Sequence, residues 1–298
     1  MTTISATLIA DSVSPAGIRL TTMHLRYPRF IHSEFMTHRV FSRNARSSRA
    51  VPVETMLREI ETDPVVPLHW GANQKGMQAD RECDAPVLML EINGDILSEH
   101  DREAAWLAAC SAATRAAQSF HDAGYHKQVV NRLLEPFMHI DTLVTATEYA
   151  NFLGLRDHHA AEPHIAMLAR EMRIAMAASE PNTLSEGEWH LPYITPAELA
   201  AHDKETLIKV SVARCARISY RPFDGSGSIE AEIARHDALV GAVPMHASPA
   251  EHQAVPDVRR SNGVGGYAGW WHPQEHGNLH GWRQYRKMLR GENLAEAA

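Results

Sequence analysis

The sequence predicts an α+β fold, and two observations carry that prediction. Residues 4–12 and 17–27 read as strands. In the second, Ile18, Leu20 and Thr22 alternate with Arg19, Thr21 and Met23, the two-residue period of a strand with one buried face. Ser14-Pro15-Ala16-Gly17 is the turn between them. The middle of the chain changes period. Asp101 to His121 is alanine-rich, with Trp106, Ala109, Ala113, Ala116 and Phe120 on one helical face. Strand-period and helix-period segments in one chain point to a mixed, α+β fold, and 298 residues with 44% apolar content can bury a large core in one or two domains.

The remaining elements follow in order. From Pro28 to Thr37 the chain turns helical and leads into a basic segment. Residues 64–85, with Pro, Gly and Gln, read as a long loop. Lys127 to Leu134 is a short helix stopped before Pro136. Asp141 to Arg156 and Glu162 to Ala178 read as further helices, the latter with Pro163 in its first turn. After Pro192 a second block begins. Glu205 to Ser219 reads as a strand, Asp224 to Ser228 as a flexible loop and Ile229 to Val240 as a helix. A Gly-rich, aromatic tail runs from Arg259 to Trp271. There are no repeats and no low-complexity tracts.

Charge and cysteine usage narrow the class. The net charge is −7 and the pI about 6.2, which argues against general nucleic-acid binding. No signal peptide and no apolar run of bilayer length is expected. The three cysteines, Cys83, Cys110 and Cys215, are scattered and form neither a disulfide framework nor a zinc pattern. That usage fits a reducing, cytoplasmic setting. Nineteen histidines raise the question of a metal, but His158-His159 with His164, and His121 with His126, lack zinc-site spacing. No metal is expected.

Against this acidic background, Phe35 to Val53 is an anomaly. It holds Arg39, Arg43, Arg46 and Arg49, with His38, Ser42, Asn44, Ser47 and Ser48, and no acidic residue. Two readings apply. One is a solvated basic face. The other is a seat for a polyanionic small molecule, because guanidinium forks grip phosphates in pairs of hydrogen bonds and Ser and Asn add neutral ones. The absence of Lys/Glu alternation and the strand-like stretch just ahead favour the second.

The order of these residues resembles the signature of the flavin-dependent thymidylate synthases: Arg-His-Arg, seven residues, Ser, then Arg two positions on. Here Thr37-His38-Arg39 is followed by Ser47 and Arg49, with Ser42 and Asn44 also in register. Thr37 stands in place of the first Arg. A second group matches in the helical middle. Arg132 precedes Leu133-Leu134-Glu135-Pro136, and Asn151-Phe152-Leu153-Gly154-Leu155-Arg156 resembles the family's Asn-Phe-Leu-x-Leu-Arg run. The family's following His-Ala-Gln-Trp-Glu run is not reproduced by Ala160-Ala161-Glu162-Pro163-His164, so its histidine is not carried over.

A third group comes last. Ala216-Arg217-Ile218-Ser219-Tyr220 resembles the family's Ala-Arg-Val-Ser-Phe, and His246 to His252 resembles its His-Glu-Thr-Pro-Phe-Glu-His. In ordinary members these two runs precede the basic motif. The resemblance therefore implies a circular permutation of a fold in which helices pack on an antiparallel sheet. Permutation requires termini that lie close together at the surface. The resemblance covers most of 17–53, 100–178 and 206–253. It implies one catalytic domain over 1–298, with the motif and helical part in 17–192, the permuted element in 206–253 and the tail in 254–298.

The resemblance also implies roles. His38, Arg39, Ser42, Asn44, Asn151 and Ser248 would hold FAD. Glu34, Ser47, Ser48, Arg49, Arg132 and Arg156 would bind dUMP, with Arg156 and Ser47 as the catalytic pair. NADPH and methylenetetrahydrofolate would be co-substrates, and sites would be shared within a homotetramer. The cysteines sit in Glu-Cys-Asp, Ala-Cys-Ser and Arg-Cys-Ala contexts, which offer no activated thiolate nucleophile. A fixed cation beside the uracil ring would instead favour its N3-deprotonated form. Two alternatives stay open. One is a flavin/folate-dependent C5 methylase or hydroxymethylase of another pyrimidine nucleotide. The other is a non-catalytic nucleotide- or flavin-binding homologue.

Overall fold

The computed structural model describes residues 3–90, 96–263 and 266–292. It opens with β1 (Ser5–Val13) and β2 (Arg19–Pro28), an antiparallel hairpin with a register shift between Leu8 and Ala10. Gly17 sits in the turn at φ +77°, a left-handed conformation that costs glycine little. A 3-10 turn over Arg29–Ile31 and α1 (His32–Met36) follow, then β3 (Ser42–Ala45) and α2 (Val53–Thr62). The 64–85 loop is tied by an isolated bridge between Gly71 and Glu82. Sequence reading missed the ribbon after it, β4 (Val87–Leu90) with β5 (Ile96–His100).

α3 (Arg102–Asp122) is capped by Asp101, whose carboxylate accepts from the Ala104 amide at 2.8 Å. Its buried side differs from the expected stripe. Ala105, Cys110 and Ala117 are buried beside the half-buried Trp106 and Ala113, while Ala109, Ala116 and Phe120 are exposed. Alanine supplies so little contrast that the sequence cannot orient such a helix. α4 (Lys127–Val130) is shorter than expected. The chain continues as a 3-10 turn over Asn131–Phe137 that contains Pro136 rather than stopping before it.

The Asp141–Arg156 segment departs most from expectation. It is not one helix but β6 (His139–Ala146) followed by α5 (Ala150–Arg156). Every residue of β6 is buried. A strand covered on both faces loses the polar/apolar alternation that identifies strands in sequence. α6 (Pro163–Ala177), capped by Glu162, comes where expected.

β7 (Asn182–Thr183) completes a five-stranded sheet in the order β3-β6-β2-β1-β7. All neighbours are antiparallel except the parallel β1–β7 pair. α7 (Pro196–Ala201) leads into α8 (Lys204–Ala216), which corrects the expected strand over Glu205–Ser219. Its second half is buried without a break from Val210 to Ala216, and a helix enclosed on all sides shows no 3.6-residue stripe. A 3-10 turn over Arg217–Ser219 and α9 (Ile229–Val240) follow. Beyond a short turn over Ser248–Glu251 come β8 (Ala254–Pro256), β9 (Arg259–Ser261), β10 (Tyr267–Trp270), β11 (Trp282–Gln284) and α10 (Tyr285–Met288). β9 pairs with β10, and β8 with β11.

The sheet is covered on both faces. On one, Met23, Leu25, Tyr27, Ile140 and Val144 pack with Phe35, Phe41, Phe152 and the α6 residues Ile165, Leu168 and Met172. On the other, Leu143 packs against Cys215 and Ile218. α2, α3 and α4 share a separate cluster around Met56, Ile60 and Leu134. Tail and sheet meet through Leu20, Ala254, Leu279 and Trp282. Among the described residues no helix is long and apolar enough to cross a membrane.

Candidate functional site

The basic segment wraps the edge strand β3, with a loop at each of its ends. The first loop, 37–41, carries His38 and Arg39. His38 is buried, stacked on Phe41 and edge-on to Phe152. Its Nε2 accepts from Arg156 Nε at 3.0 Å, so that ring nitrogen carries no proton in this arrangement. Burial, with the charges of Arg156 and Arg43, pushes the imidazole below its ordinary pKa. Arg156 is the last residue of α5 and makes no other hydrogen bond among the described residues. Its two terminal nitrogens remain available.

Glu34 lies nearby in α1. Its Oε2 is buried without a hydrogen-bond partner. Burial and Glu162 raise its pKa, and Arg156 and His164 partly offset this. Thr37 does not substitute for an arginine here. It is exposed, and its hydroxyl donates to the Glu34 carbonyl at 2.7 Å.

The second loop, 46–51, carries Ser47, Ser48 and Arg49. The Ser47 amide donates to the Ser219 carbonyl at 2.9 Å, and the Ser47 hydroxyl accepts from the Arg49 amide at 3.3 Å. Ser48 is buried and donates to Glu135 Oε1 at 3.2 Å. The same oxygen receives Arg132 at 3.4 Å and Arg29 at 3.6 Å. Glu135 thus sits between two cations and a hydroxyl. Sequence reading did not single it out or Arg29, although its i,i+3 spacing from Arg132 was visible in the run Arg132-Leu133-Leu134-Glu135.

The four arginines of the segment divide into two kinds. Arg43 donates to the backbone carbonyls of Met36 and His38, at 2.9 and 3.1 Å, and braces its own loop. Arg46 is buried in a two-pronged pair with Glu59, at 2.7 and 2.8 Å, with Asp141 3.5 Å away. These two are structural. Arg39 and Arg49 are exposed and have no side-chain partner among the described residues. They are the cations left for a ligand, and with Arg156 they supply a donor set suited to phosphates and to a charged ring.

The other expected residues are distributed as follows. Ser42 and Asn44 are buried in β3. Asn151 lies in the first turn of α5 and is exposed. Five residues on a helix is about 140° of rotation, so Asn151 and Arg156 leave α5 in different directions. Ser248 is exposed on its turn, which lies against β3. The two loops are separated by the four residues of β3, about 13 Å of strand. One copy of the chain therefore gathers Glu34, His38, Arg39 and Arg156 at one end, and Ser47, Ser48, Arg49 and Arg132 at the other.

The Thy1 family model, described as thymidylate synthase complementing protein, matches residues 6–182. The chain belongs to this family. Within Thy1, the matched region includes both loops, β6 and α5. Among solved structures it is similar to a UMP/dUMP methylase, PolB, from Streptomyces cacaoi. The form bound with 5-Br dUMP is 17% identical, with 59% of this chain and 91% of that chain covered at a TM-score of 0.42. The form bound with 5-Br UMP is 20% identical, with 59% and 90% covered at 0.43. A flavin-dependent thymidylate synthase, ThyX, from Helicobacter pylori, complexed with FAD and dUMP, is 17% identical, with 53% and 67% covered at 0.33. No curated protein sequence matches the chain.

Proposed function

We propose that this Thy1-family protein methylates dUMP to dTMP with a flavin, using methylenetetrahydrofolate as carbon donor and NADPH as reductant. The observation that carries the reading is the setting of Arg156. Its Nε is held by His38 while, among the described residues, neither terminal nitrogen has a hydrogen-bond partner. A guanidinium fixed on one side and open on the other is pre-organised to receive an anionic ring. Arg156 would face the uracil ring and stabilise its N3-deprotonated form, so that C5 becomes electron-rich without a cysteine adduct. The cysteines fit that route. Cys110 and Cys215 are buried and burial raises both thiols, Cys215 beyond the ordinary range; Cys83 is exposed.

Arg39, Asn44, Asn151 and Ser248 would hold FAD, with His38 and Ser42 shaping its seat. Held there and reduced by NADPH, the flavin would supply the electrons that convert the transferred one-carbon unit to a methyl group. Ser47, Arg49 and Arg132 would bind the nucleotide phosphate, with Ser48 and Glu34 at its edges. The separation of Arg156 from Arg49 and Arg132 along β3 supports sites completed by a second copy of the chain, in a homotetramer. We also infer the permuted order of elements. The contact of Ser47 with Ser219 and the packing of the 248–251 turn on β3 support it, as does a family match that stops at 182.

A second reading keeps the scaffold and changes the nucleotide. Thr37 favours it, because a capping hydroxyl stands where a cation is expected. An absorbance spectrum of the purified protein, followed by tritium release from C5-labelled dUMP with FAD, NADPH and methylenetetrahydrofolate, tests the main reading. Retained flavin with tritium release from dUMP supports it. Release only from labelled UMP or dCMP selects the second reading, and retained flavin with no release from any nucleotide selects a binding protein.

A further inference from the structure

The C-terminal segment lies outside the region matched by the family, yet it reaches into the first loop. We propose that residues 276–285 are a clamp for the flavin seat, with Asn278 and Gln284 as positioning residues that fix the shape of 38–42. The flavin part of this proposal rests on the function proposed above.

The contacts are specific and converge on two points of the loop. Ser42 Oγ donates to Asn278 Oδ1 at 2.9 Å, and Asn278 Nδ2 donates to the Val40 carbonyl at 2.9 Å. Gln284 Nε2 donates towards Ser42 Oγ at 3.1 Å, Asn278 Oδ1 at 3.1 Å and the Glu251 carbonyl at 3.2 Å. Ser42 and Gln284 are both almost fully buried, where an unmade hydrogen bond is costly. The Ser42 proton is committed to Asn278, so its hydroxyl can meet a flavin only as an acceptor. Through Glu251 the same amide ties in the turn that presents Ser248.

The clamp is itself well anchored. Trp282 is fully buried against Leu20 and Ala254. β11 pairs with β8 from Trp282–Pro256 to Gln284–Ala254, and the Tyr285 amide donates to the Gln253 carbonyl at 2.9 Å. At the tip, Asp257 holds His276 Nε2 at 2.8 Å, and His276 Nδ1 accepts from the Gly281 amide at 3.2 Å. Gly277 adopts φ +57°, and a Cβ there would lie 2.8 Å from Gln284 Oε1. That position therefore needs glycine both for its backbone and for the space the Gln284 amide occupies. The start of the 37–41 loop is held by the amides of Thr37 and His38, by the Thr37 hydroxyl on Glu34, by Arg43 on the His38 carbonyl and by Arg156 on the His38 ring. Among the described residues, the Val40 carbonyl accepts only from Asn278.

The experiment compares wild type, Asn278→Ala, Gln284→Ala, Asn278→Asp and a control, Arg115→Ala, which lies on α3 and bonds Ser111 of the same helix. Two readouts are taken on the full chain: FAD affinity by fluorescence titration, and hydrogen exchange of the 38–42 amides in ligand-free protein, with thermal midpoints alongside. We expect Asn278→Ala to weaken FAD roughly tenfold, the equivalent of about one lost hydrogen bond, and to speed exchange across 38–42. Asn278→Asp keeps the acceptor for Ser42 and loses the donor to Val40, so it should fall between; it also stands in should the alanine variant not fold. Arg115→Ala should leave both readouts at wild type. Exchange at 38–42 that is unchanged in Asn278→Ala and Asn278→Asp overturns the clamp. A clamp that shows in exchange while FAD affinity stays within twofold of wild type overturns its role in the flavin seat. Wild type that retains no FAD overturns the flavin reading, and the exchange result then still decides the clamp.

Discussion

In the proposed assignment, Arg49 and Arg132 grip the nucleotide while Arg156 acts on its ring. Both are more than half exposed or solvent-facing, and Arg132 is already shared with Glu135. Replacing either with Ala should weaken dUMP binding by about 1.5–3 kcal/mol, the range for a charge-assisted hydrogen bond, and leave FAD affinity nearly unchanged. Isothermal titration measures this, and unaltered dUMP affinity in both variants would remove the phosphate assignment. Arg156 should behave differently. Arg156→Lys keeps the charge but loses the planar fork and the Nε bond to His38. Single-turnover oxidation of reduced flavin, with saturating dUMP and folate, should slow at least about tenfold, or roughly 1.4 kcal/mol of barrier. A wild-type rate in this variant would make Arg156 an ordinary helix-end arginine.

β1, β2 and β6 are joined across the sheet by a buried polar chain. Ser12 bonds His190 at 2.9 Å, His190 bonds Thr22 at 2.8 Å, Thr22 bonds Thr145 at 2.7 Å, and Thr145 bonds His252 at 2.8 Å. The last histidine of the 246–252 run is thus a packed structural group. Burial pushes His190 and His252 down to about 3, and His32 and His139 to about 4. Each is neutral when folded, while the unfolded chain binds the proton near 6.5. Their contribution is therefore complete above about pH 6.5 and is lost as pH falls from there towards 3. At pH 5 this amounts to at most about 2 kcal/mol per group. The buried carboxylates Asp11 and Asp141, held below the ordinary value despite burial, by Arg19 and by His24, Arg26 and Arg46 respectively, add their loss only at lower pH. Urea midpoints should fall between pH 7 and pH 5, and less steeply in His252→Gln. A midpoint that is flat over that window would show that these histidines charge without penalty.

At the scale of the molecule, the division of site residues between the two ends of β3 makes a prediction about assembly. If each site draws Arg156 from one copy and Arg49 from another, Arg49→Ala and Arg156→Lys protein should complement each other. Mixing them under conditions that exchange subunits should restore part of the lost turnover, up to about a quarter of sites in a random two-chain assortment. Sedimentation should show an oligomer. Activity of the mixture no greater than the average of its components would place both arginines in one chain's site.

The sequence by itself was enough to point to the family that matches residues 6–182 and to several of the local elements. The N-terminal hairpin, α6 and α9 were legible because half-buried elements carry periodicity and caps; α3 was legible as a helix, but its buried face was not. The motif arginines were legible because an acid-free cationic run stands out in an acidic chain. The β4–β5 ribbon was missed, and two further elements were given the wrong type. β6 was read as helix and α8 as strand because both are enclosed by neighbours, and full burial removes the periodic contrast that names an element. Within the site, the sequence could count the arginines but not sort them. Only the tertiary structure decided that Arg43 and Arg46 serve the backbone and Glu59 while Arg39 and Arg49 stay free. It also decided that Asn278 and Gln284 reach Ser42 across more than two hundred residues. Such pairings have no local signal, because they depend on how the tail docks on β2 and not on any residue near the motif.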